Sequence, residues 1–193
     1  IRLSTPVVHV ERVADRVKIS SGKDKVIEEF FDAVVFATHS NQSLRLLKDP
    51  SELEHEILSA IPYQNNKAIL HYDDSILPKR KNAWSSWNYL LDQDKNKPVS
   101  LTYNMNILQG IDCKRTFCVS LNSENLINPK KILKTLDYEH PLFNIKGLEA
   151  QKRKHEISGI NNTYYCGAYW RNGFHEDGVV SALDVCADFG EFL

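Results

Sequence analysis

Two runs near the end of the chain hold the residues whose types and spacing could do chemistry. They are Asn162-Thr-Tyr-Tyr-Cys-Gly-Ala-Tyr169 and Gly173-Phe-His-Glu-Asp-Gly-Val-Val-Ser-Ala-Leu183. In order they predict a buried strand, a glycine-bearing loop and a helix capped by Asp177, whose carboxylate can accept from the next free amides. Val179, Ala182, Leu183 and Cys186 then share one helical face. Gly178, Ser181 and Ala182 keep the first turn small, so a flat ligand could approach the backbone closely. A helix start carries roughly half a positive charge and free N–H donors, which suits a phosphate or an anionic ring edge. The plain alternative is a strand–loop–helix corner of any α/β protein.

Other chemistry is less well signalled. His175, Glu176 and Asp177 are consecutive, so their side chains diverge, and no distant Cys/His pair completes a metal set. There is no Gly-x-Ser-x-Gly elbow for a hydrolase, and neither His71 nor His140 has a spacing partner. Trp84, Trp87 and Tyr89 could line an apolar pocket, or they could be aromatics of a sheet core.

The last segment resembles the C-terminal flavin-contacting motif of the flavin-containing amine oxidase superfamily. There a strand ending near Ala-Gly leads through Gly-aromatic-x-Glu into a helix whose first amides face the isoalloxazine. The matching positions are Cys166-Gly167 and Gly173-Phe174-His175-Glu176. Phe31-Asp-Ala-Val-Val-Phe-Ala-Thr-His39, Ala83-Trp-Ser-Ser-Trp-Asn-Tyr89 and Gly173-Phe-His-Glu-Asp-Gly178 are similar to stretches in a bacterial NAD/FAD-binding, amine-oxidase-like subgroup. The likeness runs over nearly the whole chain.

That resemblance implies FAD as cofactor and hydride transfer from a substrate C–H to the flavin, with the protein supplying position, dryness and charge stabilisation. It implies an adenine contact for Val7, which follows Pro6, and a place near the cofactor for Ala37, Thr38 and His39. Gly167, Ala168, Gly173, Phe174, Glu176 and Asp177 would surround the ring, and the Gly178 and Val179 amides would stabilise its reduced edge. Asp73, Trp84, Trp87, Tyr89 and Phe174 would face a small-molecule substrate. Phe174 stands where the superfamily has an aromatic wall of the substrate cage, but it lacks a hydroxyl. Asp73 falls where superfamily oxidases commonly carry a lysine near flavin N5. A desaturase-like or isomerase-like reaction on an apolar lipid or polyene therefore stays open, as does a non-catalytic module that has lost the cofactor.

The elements that must position these residues read as an α/β chain, which the resemblance implies is part of a Rossmann-like FAD-binding domain with an inserted mixed-sheet substrate domain. Val7–Arg12 and Arg16–Ser20 alternate as a hairpin. Phe30–Ala37 reads as one strand covered on both faces, followed by a polar loop from Thr38 to Asn41. Ser51 and Glu54 make a capping box before Leu53, Ile57, Leu58 and Ile61. Strands are expected at Lys67–Tyr72, Val99–Met105 and Thr116–Leu121. Asn128-Pro129 should cap a helix through Leu136, with Tyr138–Phe143 a loop. The expected division is 1–45 with 157–193 for the cofactor domain, and 46–156 for the substrate domain.

No Gly-x-Gly-x-x-Gly follows a strand anywhere. In the resembled superfamily that fingerprint lies at the extreme N-terminus, so the resemblance implies the C-terminal portion of a longer flavoprotein. With 42% hydrophobic and 25% charged residues the composition is that of a globular protein. A net charge of −1 gives no compositional argument for nucleic acid or a membrane surface. Lys79-Arg80-Lys81 and Lys152-Arg153-Lys154 read as solvated turns or helix faces. No apolar run approaches the ~20 residues of a membrane span. Four cysteines without a Cys-x-x-Cys pair, Cys166 and Cys186 among them as buried thiols, suggest cytoplasmic residence.

Overall fold

The computed structural model describes residues 1–91 and 100–192. Val99, expected to open a strand, lies outside the described residues. Packing divides the chain into two units: residues 1–63 with 141–193, and residues 64–140. The boundaries read from sequence, after 45 and after 156, fall elsewhere, because two helices flanking the insertion pack with the first unit.

In the first unit, β1 (Val7–Val13) and β2 (Arg16–Ser21) form the expected hairpin. β3 (Ile27–Phe31) adds antiparallel to β2, while β4 (Val34–Phe36) leaves for a second sheet. The run from Phe30 to Ala37 is therefore not one doubly covered strand. It breaks at Asp32, whose side chain is fully exposed, and Phe30, Phe31 and Val35 are exposed as well. The polar stretch after it is not all loop either, since α1 (Ser40–Leu46) starts within it.

α2 (Glu52–Ser59) has the predicted capping box: the Glu54 amide donates to Ser51 Oγ (3.2 Å) and the Ser51 amide to Glu54 Oε2 (2.8 Å). Ile57, Leu58 and Ile61 are buried behind it, but Leu53 is exposed.

The second unit is built on β5 (Tyr63–His71), β6 (Trp87–Leu90), β7 (Ser100–Asn104), β8 (Cys118–Leu121) and β9 (Ile132–Pro141), in the order β6-β7-β8-β5-β9. A short α1-like turn of helix, α3 (Met105–Gln109), joins β7 to β8. The helix expected from Asn128 to Leu136 does not form. Asn128 accepts from the Lys130 amide (3.0 Å) over a single 3-10 turn, and the chain then extends into β9 beside β5. Strand pairing overrides local helix propensity here, and it also takes up Tyr138 to Pro141, expected as loop.

Register gives this sheet two unlike faces. Trp87, Tyr103, Val119 and Leu70 align in one row, with Tyr89, Leu101, Leu121 and Ala68 in the next. All eight are apolar or aromatic. Exposure grows from buried Ala68 and Leu101 to Trp87 (56%) and Tyr89 (49%) at the edge strand. The opposite face carries His71, Thr102, Asn104 and Ser120, and all four are buried.

The chain returns to the first unit with α4 (Ile145–Lys152), β10 (Thr163–Tyr165) and α5 (His175–Asp188). β10 pairs parallel with β4, Tyr165 opposite Phe36. The core gathers Val10, Val17, Phe36, Ile57, Leu58 and Tyr165 around one buried ion pair. Arg12 donates through both Nη atoms to Glu54, 2.9 Å each, and Tyr165 Oη donates to Glu54 Oε1 at 2.7 Å. Burial pushes the Glu54 carboxyl up, but Arg12, the Ser51 amide and Tyr165 together hold it below its ordinary value.

Candidate functional site

The C-terminal ends of β4 and β10 lie side by side, where open α/β sheets take their ligands. The Cys166 amide donates to Phe36 O (2.9 Å), which sets Ala37-Thr38 next to Gly167-Ala168. Gly167 has φ 153°, and a Cβ there would sit 2.5 Å from the Tyr169 ring, so only glycine fits. Its amide donates to Ser181 Oγ (3.1 Å), which ties the strand end to the first turns of α5. The Gly173 amide returns to Ala168 O (3.1 Å), and Ala168 Cβ packs on Gly178. Gly173, at φ 88°, leaves just enough room for the Phe143 ring. Phe174 beside it stands 71% exposed.

The start of α5 differs from the sequence reading. The cap position is Phe174, and Asp177 is the third helical residue, with its carboxylate accepting from the Phe174 amide (2.9 Å). The helix thus begins three residues early, at His175. The Gly178 amide is already bonded to Phe174 O (3.3 Å), and Val179 lies deeper in the ladder. The amides without an intrahelical acceptor are those of His175 to Asp177. The buried face also shifts: Ser181 and Val185 point inward, while Val179 and Cys186 are exposed. Cys186 is therefore not a buried thiol. Burial raises the Cys166 thiol and takes Cys118 up to about 11, so neither is poised as a nucleophile.

Polar support for this corner comes from residues the sequence reading passed over. Thr38 Oγ1 and Ser43 Oγ are 2.9 Å apart, and Ser43 Oγ donates to His39 O. The Ser40 amide donates to Tyr63 Oη (2.9 Å), and the His39 ring stacks on Tyr63 with centroids 4.7 Å apart. Serines on a buried helix face give no hydrophobic period, so only the pairing of Thr38 and Ser43 hydroxyls five residues apart could have signalled them. Val7 lies elsewhere in this unit, opposite Ser21 in the three-stranded sheet.

The remaining predicted residues belong to the second unit. Trp87 and Tyr89 stand on its apolar face, and Trp84 Nε1 donates to Pro78 O (2.8 Å). Asp73 is buried and fully engaged. Its carboxylate accepts from the Ser75 amide and hydroxyl, the Asn128 amide (2.8 Å) and Lys131 Nζ (3.0 Å). Burial opposes ionisation, yet these donors hold the carboxyl well below the usual range.

Next to it, the Asp73 amide donates to His71 Nδ1 (3.1 Å), which leaves the proton on Nε2. That proton goes to Ser120 Oγ (2.8 Å), and Ser120 in turn pairs with Thr102 Oγ1 (2.7 Å). Burial lowers the imidazole's basicity further. The His71–Ser120 pair is a donor chain inside the sheet, and His71 cannot serve as a base for Ser120. Among the described residues no group of three or more His, Cys, Asp or Glu could hold a metal ion, and no helix is long and apolar enough to cross a membrane.

The fold is a mixed α/β arrangement that matches the C-terminal part of flavin amine oxidase-like structures. Among solved structures, a CLA-producing fatty acid isomerase from P. acnes superposes with a TM-score of 0.60 at 13% identity, over 96% of this chain and 47% of that one. Putrescine oxidase bound to putrescine gives 0.60 at 12% identity, over 96% and 48%. Cyclohexylamine oxidase from Brevibacterium oxydans IH-35A gives 0.56 at 11%, over 96% and 49%. The chain thus spans about half the length of these structures, and at such identity the likeness is one of fold. No family model matches the chain, and no curated protein matches its sequence.

The corner at the ends of β4 and β10 can be tested for fit to a flavin. Ala168 and Gly178 are small, and the first-turn amides of α5 offer donors to an anionic ring edge. Glu176 and Asp177 at the same turn would repel a phosphate. These acids oppose the compact charge of a diphosphate more than the spread charge of a ring edge.

Proposed function

We propose that this chain belongs to an FAD-dependent oxidoreductase and supplies its ring-facing corner together with a substrate-facing sheet. The observation that carries this reading is the convergence of Thr38, Gly167, Ala168, Gly173, Phe174 and the start of α5 at the ends of two parallel strands. FAD, when bound, would supply the hydride acceptor. The amides of His175 to Asp177 would offset negative charge on the ring, a role that the helix start moves away from Gly178 and Val179. Gly167 would let the chain turn tightly beneath it, and Phe174 would help exclude water.

A second reading is favoured by the second unit. Its eight-residue face has no carboxylate to meet an amine, and Asp73 is committed to Lys131 and backbone amides. Both features support an apolar substrate, such as an unsaturated lipid or polyene undergoing desaturation or isomerisation, over amine oxidation. The neighbours include both chemistries.

The test is the visible spectrum of the full-length natural protein before and after acid release of cofactor. A two-banded flavin spectrum with FAD released is expected. A colourless, folded protein that takes up no added FAD would leave a non-catalytic module as the better account. With flavin in place, anaerobic bleaching by amines would favour oxidation. Turnover of unsaturated fatty acids without amine bleaching would favour the second reading.

A further inference from the structure

We infer that the second unit docks an anionic lipid surface through one end of its sheet. The register brings His71, Cys118, Asn104 and Trp87 to that same end. Three connecting segments meet there, and each carries exposed cations. Lys79, Arg80 and Lys81 lie between β5 and β6, and Lys114 and Arg115 precede β8. Lys130 precedes β9 and is drawn in by Tyr72, whose Oη donates to its carbonyl (3.2 Å). Among the described residues none of these six forms an ion pair. The acids at this end are Asp73, neutralised by Lys131, and Asp74 and Asp112. A chain whose overall charge is −1 therefore concentrates positive charge at one place.

Aromatic side chains are interleaved with those cations. Arg115 lies 4.9 Å from the Tyr72 ring centroid, and Lys81 lies 5.5 Å from that of Trp84. Trp87 and Tyr89 continue the surface along β6, an edge strand. Exposed Trp and Tyr rings beside Lys and Arg suit the headgroup layer, where the ring enters the interface and the charge meets lipid phosphate. Each cation near an anionic leaflet strengthens partition about fivefold, so three together are worth on the order of a hundredfold. Single-stranded nucleic acid would also meet the cations and stack on such rings, so RNA retention is the competing outcome of the test.

The surface needs no flavin, so its test is independent of the oxidoreductase reading. Full-length protein is co-sedimented with extruded vesicles of phosphatidylcholine, alone or mixed with phosphatidylserine. Binding is expected only with phosphatidylserine, and K79Q/R80Q/K81Q should lose roughly a hundredfold. The variant W87S should lose several-fold, most visibly at high salt, while K23Q/K25Q in the first unit should lose nothing. Far-UV spectra and melting curves establish that each variant folds. Equal binding to both vesicle types, or an unaffected triple variant, would overturn the proposal. Tighter retention of a short RNA, lost in the same triple variant, would overturn it in favour of nucleic acid.

Discussion

In the first unit the buried charges of Arg12 and Glu54 are ringed by Val10, Ile57, Leu58 and Tyr165, so one satisfied ion pair sits inside an apolar core. The second unit turns this arrangement over. Its sheet buries His71, Thr102, Asn104 and Ser120 and leaves Trp87 and Tyr89 to solvent. The buried polar groups named here, Arg12 and Glu54 in one unit and His71, Thr102, Asn104 and Ser120 in the other, all have partners. Hydrogen-bond satisfaction therefore decides what goes inside as much as hydrophobicity does. The units differ in what remains for the surface: the second keeps an apolar face available to another molecule.

Breaking the ion pair should have the largest effect. Glu54→Ala leaves the Arg12 guanidinium to Asp49, which it meets through Nε at 3.0 Å, and leaves Tyr165 Oη without its acceptor, which should cost about 3 kcal/mol in urea unfolding. Replacing both partners, Arg12→Met with Glu54→Leu, should recover part of that loss, since Tyr165 Oη and the Ser51 amide still lack their acceptor. A double variant as unstable as the single would mean that shape, not charge, holds this core.

Asp73→Asn in the second unit comes next, at about 2–3 kcal/mol, because hydrogen bonds to a charged group are lost. Its pH dependence has a definite sign. The folded carboxyl titrates below its ordinary value, so its contribution is complete above the unfolded pKa and is lost as pH falls through the folded one. The wild type should therefore lose more stability than the variant on acidification below about pH 4. Parallel acid limbs in the two unfolding curves would refute this.

Ser120→Ala should cost about 1–2 kcal/mol, since it leaves His71 Nε2–H and Thr102 unpaired, and His71→Leu/Ser120→Ala should cost less than the two singles combined. The smallest effect is expected at the exposed face. Trp87→Ser should change unfolding free energy by no more than about 0.5 kcal/mol, while slowing turnover if that face meets substrate. A large loss of stability instead would mean that Trp87 is packing a core.

How much of this was legible in the sequence depended on whether local pattern and tertiary pairing agreed. The β1–β2 hairpin and the Ser51–Glu54 capping box were legible because turn, alternation and cap are all local. So was the strand–glycine–helix order of the last motif. The helix expected after Asn128 was not, because Ile132, Leu133 and Leu136 fit a helical period while β5 offered a pairing edge. α1 was hidden because its buried positions, Ser40 and Ser43, are polar. The start of α5 was misplaced because Asp177 caps from inside the helix rather than ahead of it. Asp73 was legible as unusual but not as buried, since its partners Asn128 and Lys131 are more than fifty residues away.

The parallel pairing of β4 with β10 also bears on the order in which the chain can fold. Val34 meets Thr163 across about 130 intervening positions, a slow closure for a disordered loop. The second unit is continuous, and its first and last strands are neighbours, with Asn66 Nδ2 within 2.9 Å of His140 Nδ1. Once it has formed, the chain enters and leaves it side by side, and the loop is effectively far shorter. During synthesis the inserted unit can mature while the final residues are still being added, and β10 then completes the first unit last.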